Sequence, residues 1–426
     1  MPVFIRKLFV LLGLCLVLNA TSSFAELSIE ITGGAESATP IAIVPFGGAS
    51  PLDISGIVNS DLGQSGYFKT LAQQDIISKP TTEAEVDYRT WQALGQEYLV
   101  VGQVAQNQGQ YNVQFELFTV YKGQRMLAYR MSVAGADLRR TAHHISDLIF
   151  EKITGKRGVF STRIAYITSV GSYGKKTYRL QIADADGYNS RTIAASPEPL
   201  MSPAWSADGK RIAYVSFESK RSAIFIQTLA TGQRERVSGS PGINGAPAFS
   251  PDGSQLALTL SKDGSPNIYV LNLGSKSLRR VTTGNAIDTE PVWSPDGAHI
   301  VFTSDRGGRP QLYSVPSQGG GVKRITFKGD YNARASFSND GKKIAMVYGG
   351  GGGFKIAVMD LASGSVDVLT EGQLDESPSF APNGSMLLYA AKQGGRETLA
   401  TVSADGKVRQ KLAFEGGEVR DPAWSP

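Results

Sequence analysis

In the C-terminal two thirds of the chain, apolar and polar positions recur with one fixed step. Aromatic residues stand at Trp205, Phe249, Trp293, Phe337, Phe380 and Trp424, spaced 44, 44, 44, 43 and 44 residues apart. Seven residues after each of the first five, a short apolar run begins: IAYVS at Ile212, LALTL at Leu256, IVFTS at Ile300, IAMVY at Ile344 and LLYAA at Leu387. A second run starts nineteen residues after each anchor, at Ile224, Ile268, Leu312, Ile356 and Leu399. A third starts thirty-two after, at Val237, Val281, Ile325, Leu369 and Leu412. Apolar runs this short, bounded by turn residues, are strands rather than helices. With the strand that carries the anchor, each period holds four. An antiparallel four-stranded unit repeated at this length predicts β-propeller blades. A linear solenoid would need polar capping repeats, and none is visible.

The turns agree with this pattern. In SPDG, at 250–253 and 294–297, proline presets φ, the Asp side chain bonds its own backbone and Gly ends the turn. Each such Asp is therefore read as a turn residue, not as a catalytic or calcium-binding group, and each aromatic before it is expected to pack between blades. The last unit, DPAWSP at 421–426, has its anchor but no following strand. The unclaimed copy of that strand is Ile164-Ala165-Tyr166-Ile167-Thr168, which has no anchor before it, and YRLQIAD at 178–184 and RTIA at 191–194 supply the other two. The expected fold class is mainly β: a six-bladed propeller with four antiparallel strands per blade, closed by the C-terminal strand so that no blade edge stays open, and preceded by a smaller α/β domain.

That smaller domain, expected over residues 26–157 ahead of a propeller over 158–426, does not repeat. ELSIEI (26–31) and IAIVPF (41–46) are strand-like, and residues 53–71 start as a helix with Ile54, Ile57, Val58 and Leu62 at helical spacing. A second helix is expected around Trp91 and Leu94, then a strand over 97–104, a hairpin across YKGQ, and a helix over 137–155 ended by Gly155. In front stands a secretory pattern over 1–25. Arg6 and Lys7 precede an apolar run from Leu8 to Leu18, and small residues Ser23 and Ala25 precede Glu26, so cleavage is expected between Ala25 and Glu26. The run is too short to span a bilayer, and export to a periplasm is expected.

Composition narrows the chemistry. The 48 glycines and 20 prolines suit many tight turns. The formal charge of +5 falls to +3 when Arg6 and Lys7 leave with the leader, and no basic stripe with interleaved aromatics is present, so nucleic acid is not an expected partner. The one cysteine, Cys15, lies in the leader, which excludes cysteine catalysis and disulfides from the mature chain. His143 and His144 are read as solvated or interfacial helix residues; without cysteines or an H-E-x-x-H pattern, zinc is not expected. There is no G-x-S-x-G, and the glycine run 349–353 falls in a hairpin, not in a phosphate-cradling strand-to-helix turn. What remains is surface. Six connections, 196–203, 240–247, 284–291, 328–335, 371–378 and 415–422, must each cross from an outermost to an innermost strand, about 14 Å at roughly 4.8 Å per strand. They converge on one channel mouth, where loops on a rigid scaffold suit docking of a protein element.

ELSIEIT, PIAIVPF, DISGIVNSDL, FEKITGKRGVFSTRIAY, DADGYN, EPLMSPAWS, FESKRSAIFIQTLATG, NGAPAFSPDGSQLA, TEPVWSPD and FTSDRGGRPQLY, in this order, resemble the TolB family, the periplasmic propeller proteins of the Tol–Pal envelope system. The resemblance covers the whole mature chain. It implies a monomeric, non-enzymatic adaptor without a cofactor that meets membranes only through its partners. Such proteins bind Pal, a peptidoglycan-associated outer-membrane lipoprotein, at the channel mouth, and TolA, an inner-membrane protein, through the mature N-terminus. They support outer-membrane integrity and constriction at division. By position, Ile243, Ala246 and Thr289 match family residues implicated in Pal binding, and the mouth adds Met201, Asn244, Glu290, Asn332, Asp375 and Glu376 as candidates. Glu26, Leu27, Ser28, Ile29, Glu30, Ile31, Thr32 and Gly33 match the TolA-binding segment. That segment is short, terminal and strand-like, suited either to packing on its own domain or to release onto a partner. Two other classes stay open on the residues alone: a propeller hydrolase or lactonase with a metal in its channel, and a glycan-binding module. An enzyme would need polar side chains on the innermost strands, where PAW, PAF, PVW, ASF and PSF offer mostly apolar and small ones.

Mass spectrometry of the exported protein is expected to find Glu26 at the N-terminus; retention of residues 1–25 would contradict the secretory reading.

Overall fold

The computed structural model describes residues 29–31, 38–171, 175–393, 395–412 and 417–426. The leader, the Ala25–Glu26 cleavage and, from the candidate TolA segment, Glu26, Leu27, Ser28, Thr32 and Gly33 lie outside the described residues. In the N-terminal domain a mixed sheet runs in the order β3 (Phe68–Thr70), β2 (Thr39–Ile43), β4 (Tyr98–Asn107), β5 (Gln110–Thr119) and β6 (Gln124–Ala134). β2 is parallel to β3 and β4, while β4, β5 and β6 form an antiparallel meander. Two helices, α1 (Ile54–Gln64) and α3 (Leu138–Thr154), cover one face, packing Ile54, Val58, Leu62, Ile145 and Ile149 on Ile41, Ile43, Val100, Phe115 and Leu117. The short α2 (Tyr88–Ala93) brings Trp91 onto Ala42, Leu99, Val101 and Phe118 of the other face.

The segment 53–71 starts as a helix, as the spacing of Ile54, Ile57, Val58 and Leu62 implied, and that helix ends at Gln64. Asp53 caps its start by accepting from the Gly56 N–H at 2.9 Å, but Gly66 takes φ +75°, a conformation that ends helices, and the chain continues as β3. Gly66 also has to be glycine for packing, since a Cβ there would lie 2.4 Å from Cγ2 of Val408 in the propeller. The helix over 137–155 does end on Gly155, at φ +70°.

Six four-stranded sheets follow in the propeller, each antiparallel with its innermost strand first: Leu200–Trp205, Asn244–Phe249, Asp288–Trp293, Tyr331–Phe337, Asp375–Phe380 and Glu418–Trp424 open blades 1 to 6. Blade 6 is completed by Arg163–Val170, Thr177–Asp184 and Arg191–Ser196 from the start of the repeat region. Its joining register sets Trp424 opposite Ile164, Ala423 opposite Ala165, and Val419 opposite Thr168, as the pattern of the last unit required. The anchors sit between blades. The indole N–H of Trp205 donates to the Ala423 carbonyl at 3.0 Å, that of Trp293 to Ala248 at 3.0 Å, and that of Trp424 to Thr162 Oγ1 at 2.7 Å. Ser250 Oγ donates to Asp252 at 2.5 Å and Ser294 Oγ to Asp296 at 2.5 Å, so these aspartates are turn residues.

β1 (Ile29–Ile31) leaves its own domain. It pairs antiparallel with the outermost strand of blade 5, Val408–Lys411, with Ile29 opposite Gln410, Glu30 opposite Arg409 and Ile31 opposite Val408. Of the two placements open to this segment, neither its own sheet nor a partner but the propeller edge holds it here. Blade 5 anchors the domains to each other: on the edge that seats β1 the Gln410 side-chain amide donates to the Gln64 carbonyl at the end of α1, and from the turn after the innermost strand Asn383 Nδ2 donates to the Arg157 carbonyl at 2.8 Å.

Removing Asp421–Pro426 should leave Ile164 and its strand without an inner neighbour and lower the melting temperature far more than trimming an exposed tail; an unchanged melting curve would refute the closure.

Candidate functional site

Each innermost strand breaks its ladder at one place. Register shifts fall between Met201 and Ala204, Gly245 and Ala248, Thr289 and Val292, Ala333 and Ser336, Glu376 and Ser379, and Arg420 and Ala423. In every one the bulged residue has left-handed φ without being glycine: Ser202 +51°, Ala246 +45°, Glu290 +55°, Arg334 +54°, Ser377 +56° and Asp421 +49°. Such bulges re-aim side chains, and non-glycine residues in this region cost on the order of 1 kcal/mol each. These six residues and the Pro or Ala after each surround a central cavity of about 160 Å³.

Their side chains knit most of the ring. Arg334 Nε lies 3.0 Å from Glu290 Oε1 and its Nη1 2.6 Å from Asp421 Oδ1; Nη1 also donates to Ser377 Oγ. Asp421 accepts the Ser202 N–H at 3.0 Å. Burial pushes the Asp421 carboxyl up, but Arg334 and the Ser202 N–H outweigh it and hold the carboxyl below its usual range. Blades 3, 4, 5, 6 and 1 are thereby joined. Blade 2 contributes only the Ala246 methyl.

Beside that methyl the mouth opens into a cavity of about 770 Å³ walled by Met201, Val215, Phe217, Pro241 and Ile243 and floored by Glu290 and Arg334. Ile243 is 50% exposed on its rim, and Ile287 likewise on the next loop. Of the nine mouth residues expected from sequence, six line this cavity: Met201, Ile243, Asn244, Ala246, Thr289 and Glu290. Asn332, Asp375 and Glu376 do not. Asn244, Asn332 and Asp375 occupy the same position in their blades and are buried. Asn244 accepts from Ser238 Oγ at 2.7 Å and donates to the Ser240 carbonyl at 2.7 Å, while Asn332 donates to Gln311 Oε1 at 2.9 Å and to the Lys328 carbonyl at 2.8 Å. Burial pushes the Asp375 carboxyl up, against bonds from Thr370 and the Gly372 N–H. These three shape the rim loops from within. Glu376 is held above the usual carboxylate range by burial, with Arg334 opposing. Arg334, Asp421, Ser202 and Ser377 were not singled out from sequence, although each stands three residues before an anchor, as Ala246 and Glu290 do.

His144 and His299 are exposed. His143 is interfacial but not solvated, being 1% exposed; it brings its ring within reach of Asp61 and Asp186, with one nitrogen or oxygen atom of each of the three within 4.8 Å of the others. Among the described residues no helix is long and apolar enough to cross a membrane.

Comparison with known proteins matches this architecture end to end. Residues 150–426 fit the model of the TolB beta propeller domain, and residues 27–126 that of the TolB amino-terminal domain. The chain belongs to the TolB family. A TolB from Methylococcus capsulatus is 62% identical over 413 residues, covering 96% of this chain and 97% of its own, and one from Xylella fastidiosa is 54% identical over 434 residues, covering 100% and 99%. Both are named Tol-Pal system protein TolB. The crystal structure of TolB from Acinetobacter baumannii superposes with a TM-score of 0.88 at 43% identity, covering 94% of this chain and 99% of that one. The resemblance read from the motifs thus extends to the whole TolB fold.

In this TolB-family ring, Arg334→Ala would leave Asp421 buried without its counter-ion, and a loss on the order of 3 kcal/mol is expected in urea unfolding at neutral pH. Because the Asp421 carboxyl is depressed, its share of that stability is present above about pH 3.9 and fades as pH falls through the lower folded value. The gap between variant and parent should therefore narrow in acid; a variant as stable as the parent at pH 7 would contradict the network.

Proposed function

We propose that this chain is a periplasmic, non-enzymatic adaptor of the Tol–Pal system that docks Pal at the channel mouth and offers its mature N-terminal segment to TolA, so supporting outer-membrane integrity and constriction at division. The observation that carries the reading is the mouth cavity. It is lined in large part by the apolar side chains of Met201, Val215, Phe217, Pro241 and Ile243, rimmed by that half-exposed isoleucine, and built on bulged strands tied by Arg334, so its shape is set before any partner arrives. Binding to a preformed cavity spares the ordering cost that loops would otherwise impose. The charged groups at its floor are engaged with one another: Glu290 accepts from Thr303 Oγ1 at 2.8 Å and pairs with Arg334, which also holds Asp421. That arrangement favours a scaffold over a hydrolase, whose acid and base would have to face a substrate. The curated relatives, named as Tol-Pal system proteins, support the same assignment.

The N-terminal segment supports the second half of the proposal. β1 is held by a ladder of three residues on a sheet edge, and each hydrogen bond there contributes roughly 1 kcal/mol net. Release is therefore cheap, and a freed strand can add to a partner's sheet. A Pal-bound state that favours release raises TolA affinity by the factor by which TolA raises Pal affinity.

Ala246→Glu or Thr289→Glu is expected to abolish co-purification with a Pal-type lipoprotein from envelope extract while the melting transition stays put; undiminished capture would overturn the mouth assignment. Deleting Glu26–Gly33 should remove TolA binding and spare Pal binding, whereas equal loss of both would argue against a dedicated TolA segment.

A further inference from the structure

A buried ionic cluster joins the two domains away from the mouth. His143 on α3 sets Nδ1 2.8 Å from Asp61 Oδ2 on α1, and its Nε2 faces Asp186 Oδ2, in the turn after the blade 6 strand Thr177–Asp184, at 3.6 Å. Asp61 Oδ2 also accepts from Ser146 Oγ at 2.7 Å. From its own helix the imidazole is faced by Arg139, which pairs with Asp186 and lies 3.3 Å from Asp184 Oδ2, its guanidinium 4.6 Å from the Tyr188 ring centre. Three carboxylates thus surround one permanent cation and one imidazole. His143 is 1% and Asp61 4% exposed, and among the described residues Nε2 of His143 has no hydrogen-bond partner.

A neutral imidazole carries one N–H, so it can donate to one side only; the other nitrogen then aims a lone pair at a carboxylate. The imidazolium donates to both. The two protonation states therefore differ in their hold on the propeller. We propose that His143 is a protonation-operated latch between the domains: the imidazolium spans Asp61 and Asp186 at once, and the neutral ring keeps Asp61 and leaves Asp186 to Arg139 alone.

Two features give the latch somewhere to act. A cavity of about 60 Å³ lies between the domains, bordered by Asp61, Asp186, Gln64, Gln410 and Trp424, so this interface is not packed solid. Asp61 and Gln64 share the last turn of α1, and Gln410, which donates to the Gln64 carbonyl, lies in the strand that seats β1. Opening the latch loosens the support under that edge.

The sign follows from the surroundings. Burial pushes the imidazole down, but the hydrogen bond and charge of Asp61, with Asp186, outweigh it and raise His143 above its ordinary value. Burial likewise raises the Asp61 carboxyl. Both shifts mean that the closed assembly binds the shared proton more tightly than the separated groups do. The latch contribution is fully present below about pH 6.5 and is lost as pH rises through the elevated folded value.

The test uses the full mature chain, whose sequence has no cysteine after Cys15, with spin labels at Lys122→Cys and Lys342→Cys, one exposed residue in each domain. Electron–electron distance measurements are expected to give a narrow distribution at pH 6 and a broader, longer one at pH 9. Histidine-labelled NMR should show His143 titrating above the ordinary imidazole value. His143→Gln should give a distribution that no longer depends on pH. Superimposable distributions across the His143 titration, a pH response that persists in His143→Gln, or no titration of His143 between pH 5 and 10 would each overturn the latch; the first and last need no variant.

Discussion

The joining of Glu418–Trp424 to Arg163–Val170 is the contact on which the remaining geometry depends. The Ser425 hydroxyl meets the Arg163 N–H across 262 positions of sequence, so the ring forms only when its two ends find each other. Loop closure over such a span costs conformational entropy before any contact repays it. The repayment comes from the packing of Ile164, Tyr166, Val419 and Trp424 in one buried cluster with residues of blade 5, and from the loss of two exposed sheet edges. Only a closed ring brings Arg334 and Asp421 face to face. The channel floor is therefore a consequence of closure, and the floor gives the mouth cavity a fixed base.

The same constraint separates two kinds of residue at the mouth. Asn244, Asn332 and Asp375 turn inward and spend their polar atoms on the loops, while Ala246, Glu290 and Arg334 are turned into the channel by the bulge that follows. A two-residue shift in one strand thus decides whether a side chain holds a loop or faces the channel. At the apolar cavity the bulge residue is Ala246, a methyl where the other five bulges carry charge or hydroxyl. The mouth cavity, an N-terminal strand lent to blade 5, and a buried histidine cluster between the domains lie on three different parts of the propeller, yet all are fixed by the same ring.

Much of this architecture was legible in the chain, for a physical reason. Propeller blades are local units, so their strands, turns and inter-blade aromatics appear as a period, and the absent strand after Trp424 pointed to Ile164. The α/β domain was less legible. The helix from Ile54 follows its apolar spacing, but what stops it, Gly66 at positive φ against Val408, is a contact with a residue far away in sequence that no local pattern encodes. The mouth was legible as a set of loops but not as a set of exposures. Asn332 and Asp375 look like rim polar groups until the neighbouring Gln311 and Gly372 are in place, and Arg334 is an ordinary basic residue until the ring sets it against Asp421. His143 was readable only as solvated or interfacial, because its two carboxylates come from α1 and from blade 6, which only the domain packing brings together.

Hydrogen–deuterium exchange of the mature chain, alone and with a Pal-type lipoprotein, tests the adaptor account most directly. Slowed exchange in 196–203, 240–247 and 284–291, together with faster exchange at Ile29–Ile31 and Val408–Lys411, is the predicted result. Binding without protection of those mouth loops would contradict it.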